Sequence, residues 1–236
     1  PTLEEEAELS AQELAQGYRL ACQTFPLSDV KVHVPPESLT APQRTQVEGL
    51  EVDIAPEPPV QAMEVQLAAP TLDSPIPDDT NLLRALGLSS GSIDFHLQQN
   101  PSWQLRDLNW NVSAALRGDE VIAVGAPGSR WAGLAVDIGT TKIAAYLVEM
   151  ATGKTLASKG MMNPQIAYGE DVISRIVAAS KAPEEAAKLQ SLLVEAINQL
   201  AAELCAEIGW STDQIVEAVV VGNTAIHHLF LGLPVI

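Results

Sequence analysis

Residues 136–144 read VDIGTTKIA, a stretch that groups a carboxylate, a glycine, two hydroxyls and an ammonium within a short turn. Each type has a use in gripping a phosphate. Gly139 lets the backbone come close to an anion and present its N–H groups. Thr140 and Thr141 add hydroxyl donors, and Lys142 adds a positive charge. Asp137, at the end of an apolar strand, is placed to hold a magnesium ion through its waters, because magnesium keeps most of its hydration shell. A polar hairpin corner with glycine at the bend accounts for the same residues, and at this level both readings stand. The sequence contains no G-x-x-x-x-G-K-[ST] run and no G-x-G-x-x-G, so a P-loop or a dinucleotide fingerprint has no support.

A second group is Asn223 and Thr224, where an apolar strand gives way to a helix. Ligands of open α/β sheets are often held at such a corner, and helix capping by the same two residues is the competing role. Glu170 and Asp171 suit the first turn of a helix, where the dipole favours acids, and receive no catalytic role. His227 and His228 are adjacent in sequence, so on a helix they diverge by about 100° and do not share a face for a metal. The two cysteines, Cys22 and Cys205, lie too far apart in sequence to be a secreted disulfide framework. Cys205, next to Leu204 and near Ile208, reads as core; Cys22 on its own reads as a small buried hydrophobe.

These residues need elements to position them. Leu3, Ala7, Ala11 and Leu14 predict a helix over 3–16 stopped by Gly17, and Val30, Val32 and Val34 alternate with polar residues as in a half-buried strand. Pro42, Pro56, Pro58 and Pro59 make 37–59 an extended linker. Val65 and Leu67 suggest a short strand and 80–86 a turn or two of helix. The runs 109–117 and 120–124 form a hairpin about Gly118-Asp119, a pair able to take positive backbone angles. From Leu134 the pattern is a three-stranded meander turning at Thr152-Gly153. A helix over 169–180 follows, then a longer one over 184–208 with apolar Leu189, Leu192, Leu193, Ala196, Ile197, Leu200 and Leu204. Ser211 and Gln214 predict a capping box. A buried strand from Glu217 and a helix from Thr224 complete an α/β layer fold with parallel character.

The formal net charge is −17, with 7 basic against 19 acidic residues through Gly133 and 6 against 11 after it. Such a field repels polyanions, which argues against nucleic acid or an anionic membrane as partner. No run of 18 apolar residues is present, and the acidic start is unlike a signal peptide, so a cytoplasmic chain is expected.

The turn at 137–142 resembles the first phosphate loop of the actin, sugar kinase and heat-shock chaperone superfamily, D-x-G-T-T between antiparallel strands. Read with NPQIAYGEDVISRI from Asn163 and VVVGNTAIHHLFLGL from Val219, the chain resembles reductive activators of corrinoid proteins over essentially all 236 residues. The resemblance implies an α/β fold comprising the first half of an actin-like ATPase domain, preceded by a small α+β middle domain and the tail of a two-iron ferredoxin. The implied boundaries are 1–36 for the ferredoxin remnant, 37–59 for the linker, 60–130 for the middle domain and 131–236 for the ATPase part. It implies transfer of an electron from a two-iron two-sulfur cluster to a Co(II) corrinoid, giving Co(I), with ATP and magnesium. Asp137, Gly139, Thr140, Thr141, Lys142, Asn223 and Thr224 are then the nucleotide candidates. Partners would be a corrinoid protein and an external electron donor, and a homodimer is compatible with the family.

In the same family YRLACQ resembles the last cluster-binding segment of the ferredoxin, which makes Cys22 a cluster ligand. Such a cluster needs four thiolates, and the first three are absent here. Asp137-Ile138-Gly139 is the single D-x-G triplet, so the second phosphate turn and the adenosine pocket are absent as well. A piece cut at both ends, inactive alone and with negligible nucleotide affinity, is the expectation. Rivals are an ATP-driven reactivase that ejects damaged cobalamin without redox chemistry, a small-metabolite kinase, and an actin-like scaffold without turnover.

Overall fold

The structure is a computed structural model and describes residues 2, 9–20, 24, 25, 27, 28, 30, 31, 56–99 and 101–235. The chain divides into two compact units, 1–44 and 45–236.

In the first unit, helix α1 covers Ala11–Ala15. Ser10 and Glu13 form a reciprocal capping box: the Ser10 hydroxyl accepts from the Glu13 N–H, and the Glu13 carboxylate accepts from the Ser10 N–H at 2.8 Å. Ser10 is extended (ψ 155°), so the helix expected over 3–16 cannot run through it. Its earlier part, 3–8, lies outside the described residues. Gly17 ends α1 at φ +89°, a conformation that costs other residues a Cβ clash. Val30 and Lys31 carry no regular structure, and Val32, Val34, Cys22 and most of the proposed linker lie outside the described residues.

The second unit holds two mixed four-stranded sheets. The first contains β1 (Gln61–Gln66), β2 (Ser92–Ile93), β3 (Asn111–Arg117) and β4 (Glu120–Gly125), in the order β1-β3-β4-β2. Helices α2 (Asp78–Ala85), α3 (Phe95–Gln98) and α4 (Pro101–Asp107) are interleaved with these strands. Leu82, Leu86, Leu97 and Leu105 join Leu67, Val112, Ala114, Leu116 and Val121 in one core. Ala115, on the opposite face of β3, packs with Val60 and Trp131. Burial on both faces explains why residues 112–116 read as a continuous small and apolar run. The hairpin forms as expected, with two changes. Only Gly118 takes positive φ (+58°), which suits a turn with glycine at its first central position. The first strand starts at Asn111 because Asn109 and Trp110 adopt φ +51° and +60° as the chain leaves α4.

The second sheet, in the order β7-β6-β5-β8, contains β5 (Ala132–Ile138), β6 (Lys142–Glu149), β7 (Thr155–Met162) and β8 (Ile215–Gly222). The meander β5–β7 is antiparallel, and the parallel character is confined to β5–β8. Helix α5 covers Val172–Ala179 and the long α6 covers Pro183–Glu207. The stripe Leu189, Leu193, Ala196, Ile197, Leu200 and Leu204 buries against Leu134, Val136, Ile138, Ile143, Ala145 and Leu147. Each buried leucine is worth about 1.5–3 kcal/mol relative to exposure, so this face is the main cohesion of the layer. Cys205 is buried in the same core, and burial pushes its thiol pKa up, as a structural cysteine requires. Ser211 and Gln214 form the predicted capping box about the short 3-10 turn Thr212–Gln214. Helix α7 covers Thr224–Leu231.

The strand expected to be buried from Glu217 is instead half open. It is the outer strand of the sheet, and Val219 and Val221 are 58% and 51% exposed on the face away from α6. The helix expected over 169–180 starts three residues later, because Asp171 is extended and caps it with a hydrogen bond from the Ser174 N–H. At the junction of the two sheets Arg117 pairs with Glu217 (2.9 Å) and donates to Val216 O, while Gln214 donates to Arg130 O. No helix among the described residues is long and apolar enough to cross a membrane.

Candidate functional site

Strand alternation decides what each residue of the turn faces. Val136 and Ile138 point into the core under α6, so Asp137 between them is exposed on the opposite, open face. Residues 139–141 then form a tight connection, with Ile138 paired to Ile143. A Cβ on Gly139 would stand 2.7 Å from the Lys142 carbonyl oxygen, so the bend admits no side chain there. Thr140 is half-buried and Thr141 exposed.

The three carbonyls of this turn are all hydrogen-bonded, two by buried side chains and one by continuation of the β6–β7 ladder. Asn163 Nδ2 donates to Gly139 O at 2.8 Å, and the Asn163 N–H donates to Thr141 O at 2.9 Å. Arg175 Nη2 donates to Thr140 O. Across a trans peptide the C=O and the following N–H point in opposite directions. Fixing the Gly139 and Thr140 carbonyls downward therefore aims the N–H groups of Thr140 and Thr141 away from the scaffold, as an anion-binding turn needs.

Asn163, Gln165 and Arg175 are almost fully buried polar residues. Asn163 caps the 3-10 turn Pro164–Tyr168 by accepting from the Gln165 N–H at 2.9 Å. Gln165 Nε2 reaches Leu189 O on α6, and its Oε1 accepts from Arg175 Nη1 at 3.4 Å. Arg175 Nε donates to Gly169 O at 3.0 Å. Sequence reasoning assigned none of the three a role. The available signals were an asparagine before proline, which marks a helix start, and an arginine inside the apolar stretch VISRIVAA.

The corner after β8 lies at the same end of the sheet, since Gly222 pairs with Ile138 in parallel register. Asp137, Gly139, Thr140, Thr141 and Lys142 are thus brought together with Asn223 and Thr224 at the carboxyl ends of two parallel strands. Asn223 Oδ1 accepts from the Ile226 N–H at 3.0 Å and caps α7. His228 Nδ1 lies 2.5 Å from Pro234 O, and among the described residues no group of three or more His, Cys, Asp or Glu could hold a metal ion. Cys22 lies outside the described residues.

Two α/β regions, the second presenting a tethered glycine-threonine turn, are matched in turn by two models of one family, and the chain belongs to the RACo family that they describe. The model of the RACo linker region matches residues 49–130, and that of the RACo middle region matches residues 132–235. A solved structure, a reductive activator for corrinoid, iron-sulfur protein, superposes with a TM-score of 0.60 at 33% identity, over 96% of this chain and 39% of that one. The corrinoid activation enzyme RamQ of Eubacterium limosum is 39% identical over 101 residues, 43% of this chain and 17% of that protein. The chain thus spans well under half the length of either relative.

Proposed function

We propose that this chain supplies the phosphate-gripping turn of an actin-like ATPase that couples ATP to the reductive activation of a corrinoid protein, Co(II) to Co(I). The observation that carries the reading is the tethering of all three turn carbonyls, at Gly139, Thr140 and Thr141, by Asn163 and Arg175. A hairpin corner with no ligand has no need of a buried polar scaffold beneath it. The family names and the two relatives, both described as activators in corrinoid chemistry, support the substrate class.

The residues present fit a magnesium-bound triphosphate. The Thr140 and Thr141 N–H groups and hydroxyls would meet phosphate oxygens, and Lys142 would add charge. Exposed Asp137 would hold magnesium through its waters, and Asn223 with Thr224 would close the second side of the crevice. When bound, the nucleotide supplies differential affinity for two states of the activator and its partner, which is how it can drive an uphill electron transfer. A two-iron cluster does not fit this chain: it needs four thiolates, and of the two cysteines present Cys205 is sealed in the core. Its ligands would have to come from elsewhere, with Cys22 as at most one of them. The corrinoid protein, an external electron donor and a homodimeric arrangement belong to the same proposal.

The test uses a protein carrying this chain together with its ferredoxin. It is reduced, mixed with a Co(II) corrinoid protein, and the Co(I) absorbance is followed with and without ATP. ATP-dependent growth of the Co(I) band is expected; equal traces with and without ATP rule out the coupling.

A further inference from the structure

Arg175 stands out among the buried side chains. It has no exposed surface, yet all its hydrogen-bond acceptors are neutral: Gly169 O, Thr140 O and Gln165 Oε1. No carboxylate lies within ion-pair reach of it among the described residues. The acid nearest in sequence, Asp171, has its two oxygens engaged by the Ser174 N–H (2.7 Å) and hydroxyl (3.0 Å). A guanidinium stays protonated in proteins, so the site contains a buried positive charge that no carboxylate touches, with Asp171 acting on it only through space. Such a charge is costly to bury. Tying carbonyls does not require it, since neutral Asn163 does the same for Gly139.

We propose that Arg175 is the positioning residue of this anion site: its forked donors lock the Thr140 carbonyl, and its charge, bonded only to neutral acceptors, is held for the phosphates that the turn receives. This rests on the phosphate-binding reading above. The peptide joining Thr140 and Thr141 carries the effect. Its C=O accepts from the cation on the inner side, which polarises the bond and strengthens the N–H of Thr141 as a donor on the outer side. An anion bound outside and the guanidinium inside then sandwich a single layer of peptide, and the anion adds to the counter-charge that Asp171 supplies only through space. Burial lowers the Arg175 pKa, with the Asp171 charge opposing that shift.

The experiment follows the backbone amides of Gly139–Lys142 by NMR while a protein carrying this chain within a complete ATPase domain is titrated with tripolyphosphate, for wild type, Arg175→Met and Arg175→Lys. In wild type the Thr140 and Thr141 amides should shift saturably. In Arg175→Met the affinity should fall about tenfold or more, the scale of one charge acting through a thin protein layer at an effective dielectric of about 20. Arg175→Lys keeps the charge without the fork, so it should recover part of the loss and weaken the salt dependence less than Met does. A merely structural arginine would leave the affinity of the folded Met variant unchanged, and that result overturns the proposal while leaving the phosphate turn standing. No response in wild type overturns the phosphate-binding reading and this inference with it. If Arg175→Met does not fold, Arg175→Lys decides: wild-type affinity with wild-type amide positions refutes the role of the fork.

Discussion

Replacing Asn163 isolates what holds the turn in place. The side chain is 1% exposed, donates to Gly139 O at 2.8 Å and accepts from the Gln165 N–H at 2.9 Å. Asn163→Ala removes a helix-turn cap, worth about 1 kcal/mol, and leaves the Gly139 carbonyl without its donor, worth about 1–3 kcal/mol where water cannot replace it. The two losses share one side chain, so about 2–4 kcal/mol in total is expected. Asn163→Ser separates them, because serine caps about as well as asparagine but is too short to reach Gly139. It should cost about 1–3 kcal/mol, all of it from the turn. Urea unfolding followed by far-UV circular dichroism measures both, with an unchanged denaturant slope expected if the unfolded state is the same. A serine variant as stable as wild type, beside a weakened alanine variant, would show that only the cap matters and that Asn163 does not hold the turn.

Gly139→Ala places a Cβ 2.7 Å from a backbone oxygen that cannot swing aside; overpacking of this kind costs about 1–3 kcal/mol, visible as a lower thermal midpoint, and an unchanged midpoint would contradict the tight bend. Asp137→Asn, on the open face, should alter stability by less than about 0.5 kcal/mol yet abolish the ATP-dependent part of Co(I) formation; retained ATP stimulation would remove Asp137 from the magnesium role. Acidification should destabilise the fold. Hydrogen bonds from Thr152 and then Arg130 hold the Glu149 carboxyl below its usual range, and the Ser174 N–H and hydroxyl do the same for Asp171. With folded pKa values depressed, their contribution is complete above the ordinary carboxylate pKa and is lost as pH falls through the depressed values. The thermal midpoint should therefore hold from neutrality to about pH 5 and drop below about pH 4. Asp171→Asn, which can still cap, should take away part of that drop.

Legibility in the sequence followed the locality of the cause. The α6 stripe, the Ser211–Gln214 capping box and the Gly118 turn are decided by residues within a few positions of one another, and each was found where expected. The short α3 and α4 were missed because neither is long enough to display a period. The valines of β8 read as buried because a run of valines does not say which face of a sheet receives helices. For the candidate site, the turn residues announced themselves by type. The scaffold of Asn163, Gln165 and Arg175 did not, since burial of a polar side chain is set by partners far away in the chain, such as Thr140 for Arg175 and Leu189 for Gln165.

The parallel pairing of β8 with β5 brings Ala132 beside Ile215, with the whole meander and both helices between them. On a ribosome, the β5–β7 meander can assemble from neighbouring segments as soon as it emerges, whereas its fourth strand must wait for α6 to be synthesised and to dock. Until then β5 has a bare hydrogen-bonding edge, the kind of surface to which another nascent chain can add. Long-range closure of this kind slows folding because the loop entropy is lost before the contacts are gained. Synthesis of this protein therefore passes through an interval in which the glycine-threonine turn already exists while the Asn223-Thr224 corner beside it does not.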